Sequence, residues 1–112
     1  MKMIVAYIAP FKLDEVRDAL KEAGVTGLSA GNIQGFGRQA GHTETYRGAE
    51  YEVTFTPKIR IEILTDDSLA VPVVKAIEDA ARSGALGDGK IAVMPVEDVI
   101  RIRTGERGRD AL

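Results

Sequence analysis

Twice in this chain a run of apolar, partly β-branched residues leads into a helical repeat and then into a second strand-like run, and a stretch with neither period separates the two copies. That order limits the fold more than any single motif does. Residues 3–9 are apolar and stop at Pro10, which reads as a buried strand. Leu13, Val16, Ala19, Leu20 and Ala23 recur with helical spacing, Asp14 and Glu15 stand where the macrodipole favours them, and Gly24 ends the helix. A second strand is expected over about 28–36, with Gly31 a weak point in it. From 37 to about 51 the chain is long for a connection in so small a domain, which marks a functional or disordered loop.

Alternation returns over 52–65. Val53, Phe55, Ile59, Ile61 and Ile63 share one parity and Lys58, Arg60 and Glu62 the other, so a third strand is expected to begin near the loop and run past Pro57. Asp66 and Asp67 can cap a second helix with Leu69, Val73, Ala76, Ile77 and Ala80 on its apolar face. Pro72 fits that helix best in its first turn. Gly84 is expected to end it, Ile91 to Met94 form a fourth strand, and the alternation of 99–103 predicts a short final strand. The order β-α-β, loop, β-α-β is that of a ferredoxin-like α+β sandwich. Two helices cover one sheet face, yet the strands are apolar on both parities, so a partner subunit is expected on the other.

A chain of 112 residues fits one domain, in which roughly two thirds of the unfolded chain's surface is buried. It has no cysteine, so neither disulfides nor thiolate-bound metals can support a thin core, which favours oligomerisation. Fifteen Lys plus Arg against seventeen Asp plus Glu give a net charge of −2, unlike a protein that coats nucleic acid. The first apolar run is too short for a signal peptide or a membrane span, and a cytoplasmic location is expected.

Three places carry anion-binding chemistry. Gly84-Ala85-Leu86-Gly87-Asp88-Gly89-Lys90 has P-loop spacing, but Ile91 stands where a Walker site needs Ser or Thr, and the segment runs from helix into strand. What remains is glycine backbone that can approach an anion, with Lys90 as a point charge; a tight turn with a solvated lysine is the alternative. In Val99-Ile100-Arg101-Ile102-Arg103, a strand would place both guanidiniums on one face, about 6–7 Å apart. They would meet either a phosphate or carboxylates such as Glu62 and Glu97. Gly35-Phe36-Gly37-Arg38-Gln39-Ala40-Gly41 is a further flexible segment, without the spacing or following helix of a dinucleotide fingerprint. His42 has no second His and no Cys to form a metal site, and no nucleophile-base set or carboxylate pair suggests a hydrolase.

Taken together, Gly35-Phe36-Gly37-Arg38-Gln39, Tyr46-Arg47-Gly48-Ala49-Glu50-Tyr51, Gly87-Asp88-Gly89-Lys90 and Arg101-Ile102-Arg103-Thr104-Gly105-Glu106 resemble the PII nitrogen-regulatory signal-transduction family, from Lys2 to near Leu112. The resemblance implies a homotrimer that signals nitrogen, carbon and energy status, with ATP or ADP bound between neighbouring subunits. Gly35, Phe36, Gly37 and Arg38 would hold the nucleotide, with Ser29 and Leu64 near its adenine. Gly87, Asp88, Gly89 and Lys90 would line the same cleft, and Arg101 and Arg103 would reach the phosphates from the adjacent subunit. Gln39 would ligate a Mg2+ ion shared by ATP and 2-oxoglutarate. Lys58 would pair with the distal carboxylate of that acid, with Gly41 and Gly87 also around it. Residues 37–55 would be the T-loop, through which the family regulates an ammonium channel or nitrogen-assimilation enzymes and regulators; contact with the membrane would come only through such a transporter. Tyr51 matches the tyrosine that a separate nucleotidylating enzyme modifies in many members, and Arg47 the residue inserted into the channel mouth. Residues 84–90 would be the nucleotide loop and 101–112 a C-terminal strand and tail.

The chain departs from the family's commonest pattern at Tyr7, Ala9, Ala40, Thr45 and Ala92; Tyr7 stands where a smaller aliphatic residue is usual. Two other readings are open at this stage. An ATP-using enzyme would fit the glycine-lysine loop and the arginines, but would have to form product rapidly. An RNA-recognition module shares the element order, yet needs aromatic residues on its sheet, and the chain has three Phe and three Tyr without the octapeptide such modules carry.

Overall fold

The computed structural model describes residues 1–37 and 54–112. Arg38, Gln39, Gly41, Arg47 and Tyr51 lie outside the described residues, as does most of the 37–55 loop. The elements are β1 (Lys2–Ile8), α1 (Leu13–Glu22), β2 (Ser29–Gly35), β3 (Thr56–Thr65), α2 (Asp67–Ala81) and β4 (Gly89–Pro95), with short 3-10 turns at Pro10–Lys12 and Gly108–Ala111. The strands form one sheet in the order β2-β3-β1-β4, every neighbouring pair antiparallel. Two β-α-β units are thus interleaved with β1 and β3 at the centre, which is the ferredoxin-like α+β arrangement.

Local chemistry sets the element ends. After β1, Pro10 opens the 3-10 turn and Lys12 N donates to Ala9 O at 3.0 Å. At the end of α1, Val25 N donates to Leu20 O and Gly24 N to Lys21 O, the paired bonds of a Schellman cap. Asp66 caps α2, accepting from Ser68 N at 3.0 Å and Ser68 Oγ at 2.6 Å. Pro72 lies in the second turn of α2, not the first. The Ser68 carbonyl has no amide there to receive, but Ser68 is exposed and water can solvate it.

Three strand boundaries differ from expectation. Among the described residues the third strand begins at Thr56, with 54–55 outside it, and the fourth begins at Gly89, two residues before Ile91. The expected strand over 99–103 does not form. Only Ile100 makes a bridge, to Arg107, and the chain turns at 102–104 with Gly105 N on Arg101 O at 2.7 Å. Alternation creates a strand only where another strand completes its hydrogen bonds, and this segment has left the sheet.

The register assigns the two faces. Ile4, Ala6 and Ile8 stand opposite Ile63, Ile61 and Ile59, and with Val16, Leu20, Val73, Ile77 and Ala81 they make the buried core beneath the helices. On the other face Met3 lies between Met94 and Leu64, Val5 between Ala92 and Glu62, and Tyr7 between Lys90 and Arg60. No helix among the described residues covers that face. Leu64 is 43 % and Met94 41 % exposed there, at the end opposite the cations.

Candidate functional site

The link after α2 turns back so sharply that its backbone touches β1. Gly89 has φ +109°, and a Cβ there would lie 1.6 Å from Tyr7 O and 2.8 Å from the Tyr7 carbonyl carbon. Only glycine allows β4 to start at that point. The loop before it is tied by Asp88, whose carboxylate accepts from Ser83 N at 2.7 Å, Ser83 Oγ at 2.5 Å and Gly84 N at 2.8 Å. These bonds, the Ser83 hydroxyl first, hold its carboxyl below the usual carboxylate value.

The turn closes one side of a cleft of about 420 Å3. Gly35, Phe36 and Gly37, at the start of the 37–55 loop, form the opposite side together with Ile33 and Lys58. Tyr7, Gly87, Gly89 and Lys90 complete it. Phe36 packs edge-on against Phe55 with ring centres 5.3 Å apart, which joins the two ends of the loop. Lys58 Nζ donates to Gly87 O at 2.5 Å and so ties β3 to the glycine turn. Among the described residues neither Lys58 nor Lys90 has a carboxylate partner. Arg60 does, with Nε 2.8 Å from Glu62 Oε2. Two ammonium groups without a described carboxylate partner, next to glycine backbone, can receive an anion.

Other residues singled out from the sequence lie elsewhere. The Asp88 carboxylate turns toward Ser83 and away from the cleft, so its part is to shape the loop. Ser29 stands opposite Glu62 on the open face. Leu64 lines a second and larger cleft of about 570 Å3 with Val25, Thr26, Leu69, Arg109 and Leu112. That cleft is the roomier of the two, but its one cationic side chain, Arg109, is paired with Asp66 at 2.7 Å. Arg101 and Arg103 border neither cleft and do not share a strand face. Arg101 Nη2 donates to Leu112 O at 2.7 Å, and its Nε is 3.9 Å from Glu106 Oε1. Neither Glu62 nor Glu97 pairs with it; Glu62 serves Arg60. The sequence reading did not assign Ile33 to the cleft; Tyr7, which the family resemblance puts close to it, stands between Arg60 and Lys90 once β1 is paired with β3 and β4.

Comparison with known proteins supplies the affiliation. The family model described as "Nitrogen regulatory protein P-II" matches residues 1–106. The chain belongs to the P-II family. A nitrogen regulatory protein P-II of Azospirillum brasilense is 58 % identical over 112 residues, covering all of both chains. Those of Rhizobium meliloti and Rhodospirillum rubrum are 57 % and 56 % identical, again over the full length of both. These relatives carry the name nitrogen regulatory protein, and as a member of their family this chain is a nitrogen regulatory protein. Among its described residues no helix is long and apolar enough to cross a membrane.

Proposed function

We propose that this P-II chain senses ATP or ADP together with 2-oxoglutarate and reports them through the loop at 37–55. The observation that carries the reading is the placement of two ammonium groups, Lys58 and Lys90, with no carboxylate partner among the described residues, beside glycine backbone at the root of that loop. The polyphosphate lies along Gly87, Gly89 and Lys90. Arg38 contributes from the start of the loop, and Ser29 and Leu64 from the open sheet face. Arg101 and Arg103 do not border this cleft in their own chain, and in this reading a homotrimer brings those of a neighbour to it. The exposed end of the open face, with Met3, Leu64 and Met94, gives that neighbour an apolar surface to cover.

Magnesium fits this site only as part of a nucleotide complex. No cluster of His, Cys, Asp or Glu among the described residues can hold a metal, and cations line the cleft. Mg2+ keeps several waters and takes its remaining ligands from phosphates and one or two protein oxygens. The Gln39 amide oxygen is the protein ligand in this reading, and the ion supplies charge neutralisation between phosphate and keto acid. Lys58 exchanges the Gly87 carbonyl for the distal carboxylate of 2-oxoglutarate, a stronger charge-assisted bond. Gly41 and Gly87 offer backbone to the same acid.

Because Gly37 at the start of the loop and Lys58 just after it border the cleft, ligand state changes which loop conformations are populated, and so which partner docks. The partners are an ammonium transporter or nitrogen-assimilation enzymes and regulators in the cytoplasm, met through Arg47 and Tyr51. Nucleotidylation of Tyr51 adds negative charge to that surface. The deciding experiment is calorimetric titration with magnesium and ATP, ADP and 2-oxoglutarate, singly and in pairs. ATP and 2-oxoglutarate should each tighten the other by about 1–3 kcal/mol, while ADP should not. Equal 2-oxoglutarate affinity with either nucleotide rejects the shared-ion reading, and rapid ATP turnover rejects a sensor.

A further inference from the structure

Tyr7 is the only aromatic side chain on the open face of the described sheet, and nothing in the helix-side core requires it. Its row across the four strands reads Lys90, Tyr7, Arg60, Gly31, so its cross-strand neighbours are two cations and no apolar side chain. The ring is half-buried and forms part of the cleft lining beside Gly35, Phe36 and Gly37.

Its position is fixed before any ligand arrives. The Arg60 guanidinium carbon lies 5.6 Å from the ring centre, Arg60 Nη1 donates to the Tyr7 hydroxyl at 3.3 Å, and Glu62 holds Arg60 from its other side at 2.8 Å. The Tyr7 carbonyl fills the space that a Cβ on Gly89 would need, so the backbone that carries the tyrosine packs directly against the glycine turn. Arg60 engages the hydroxyl, and Tyr7 borders the cleft together with Lys90, where its ring can offer a π surface. A flat surface held rigidly beside a phosphate-binding lysine matches a ligand with a planar heterocycle joined to a polyphosphate. Pre-positioning of this kind reduces the ordering cost of binding.

We infer that Tyr7 contacts the nucleoside part of the bound nucleotide through its ring and thereby sets how strongly this chain prefers a nucleotide over a bare polyphosphate. This rests on the nucleotide reading of the cleft. Calorimetry with ATP and with inorganic triphosphate on the wild type, Tyr7→Phe and Tyr7→Ile tests it. Tyr7→Ile should weaken ATP about tenfold, ~1.4 kcal/mol and within the range for one base stacked on an aromatic ring, and leave triphosphate within about twofold. Tyr7→Phe keeps the ring and should leave both ligands within about twofold. Should Tyr7→Ile fold poorly, labelled tyrosine in the wild-type protein serves instead. The ring resonance that disappears in Tyr7→Phe should shift with ATP and stay in place with triphosphate.

Equal weakening of both ligands by Tyr7→Ile, no weakening of either, or a resonance that ignores ATP would overturn the role of Tyr7. A wild type that binds triphosphate but not ATP would remove the nucleotide reading as well. ATP binding that is unaffected by the loss of the ring would remove only the tyrosine's part.

Discussion

The turn that opens β4 and the segment around Arg101 carry the two sets of residues through which a phosphate would be gripped, and they are held in opposite ways. Gly89 and Lys90 belong to the sheet: Ile8 and Tyr7 stand opposite them, and the Gly89 backbone lies against Tyr7 O with no room to move. Arg101 has left the sheet. One bridge, the 102–104 turn and side-chain bonds to the chain's last carbonyls hold it in place. A site made of one fixed and one releasable part can bind tightly and still signal, because ligand energy need only rearrange the weaker part.

The largest effect is expected where backbone meets backbone. Gly89→Ala places a methyl group into the Tyr7 carbonyl at positive φ, and should lower unfolding free energy by about 2–4 kcal/mol in urea. Gly105→Ala, at φ +75° but with nothing within 4 Å, carries only the backbone cost of about 1–2 kcal/mol. If the two substitutions cost the same, the difference in rigidity between the regions is wrong.

The same contrast explains which parts of the fold and site could be read from the sequence. β1, α1, β4 and the Asp66 cap were legible because their signals act over a few residues: an apolar run that stops at Pro10, a helical stripe closed by Gly24, a carboxylate before Ser68. Residues 99–103 carry an equally clear alternation and form no strand, because periodicity cannot reveal whether a second strand stands beside it. The glycines and Lys90 could be singled out, but their meeting with Gly35–Gly37 and Lys58 depends on the order β2-β3-β1-β4. That Asp88 turns back onto Ser83 was not foreseen, since the carboxylate serves a turn whose shape the spacing does not specify.

Substitution of Lys58 tests the fixed part as a ligand site. Lys58→Ala removes one charge and frees the Gly87 carbonyl. It should weaken 2-oxoglutarate by about ten- to a hundredfold, the worth of one hydrogen bond to a charged group, and ATP by no more than about threefold. Equal loss of both ligands in calorimetry would assign Lys58 to the phosphate instead.

For the releasable part, hydrogen exchange is the sharper probe. A phosphate that takes the Arg101 fork must displace Ala111 O and Leu112 O, so ATP should speed amide exchange in Gly108–Ala111 while slowing it in β4. Arg101→Gln should give the faster exchange without ATP, by about fivefold for a bond worth ~1 kcal/mol. Uniform slowing of both segments by ATP would mean that Arg101 keeps its own carbonyls.

Acid should reach both regions through different carboxylates, with the smallest effect of the set. The Asp88 carboxyl is held below its ordinary value of 3.8 by the Ser83 hydroxyl and then by the Ser83 and Gly84 amides. The Asp66 carboxyl is held down by the Ser68 hydroxyl and amide, with Arg109 adding to the effect. A depressed folded-state pKa means that the stabilisation is complete above the ordinary carboxylate value and is lost as pH falls through the folded value. Nothing should therefore change between pH 8 and about 5. Below about pH 4 the amides of Ser83 and Gly84 should lose protection from exchange in the wild type, and Asp88→Asn should flatten that response while leaving α2's first turn acid-sensitive. Asp66→Asn should do the reverse, releasing Arg109 and sparing the glycine loop. If either single substitution removed both acid responses, the two regions would be one cooperative unit.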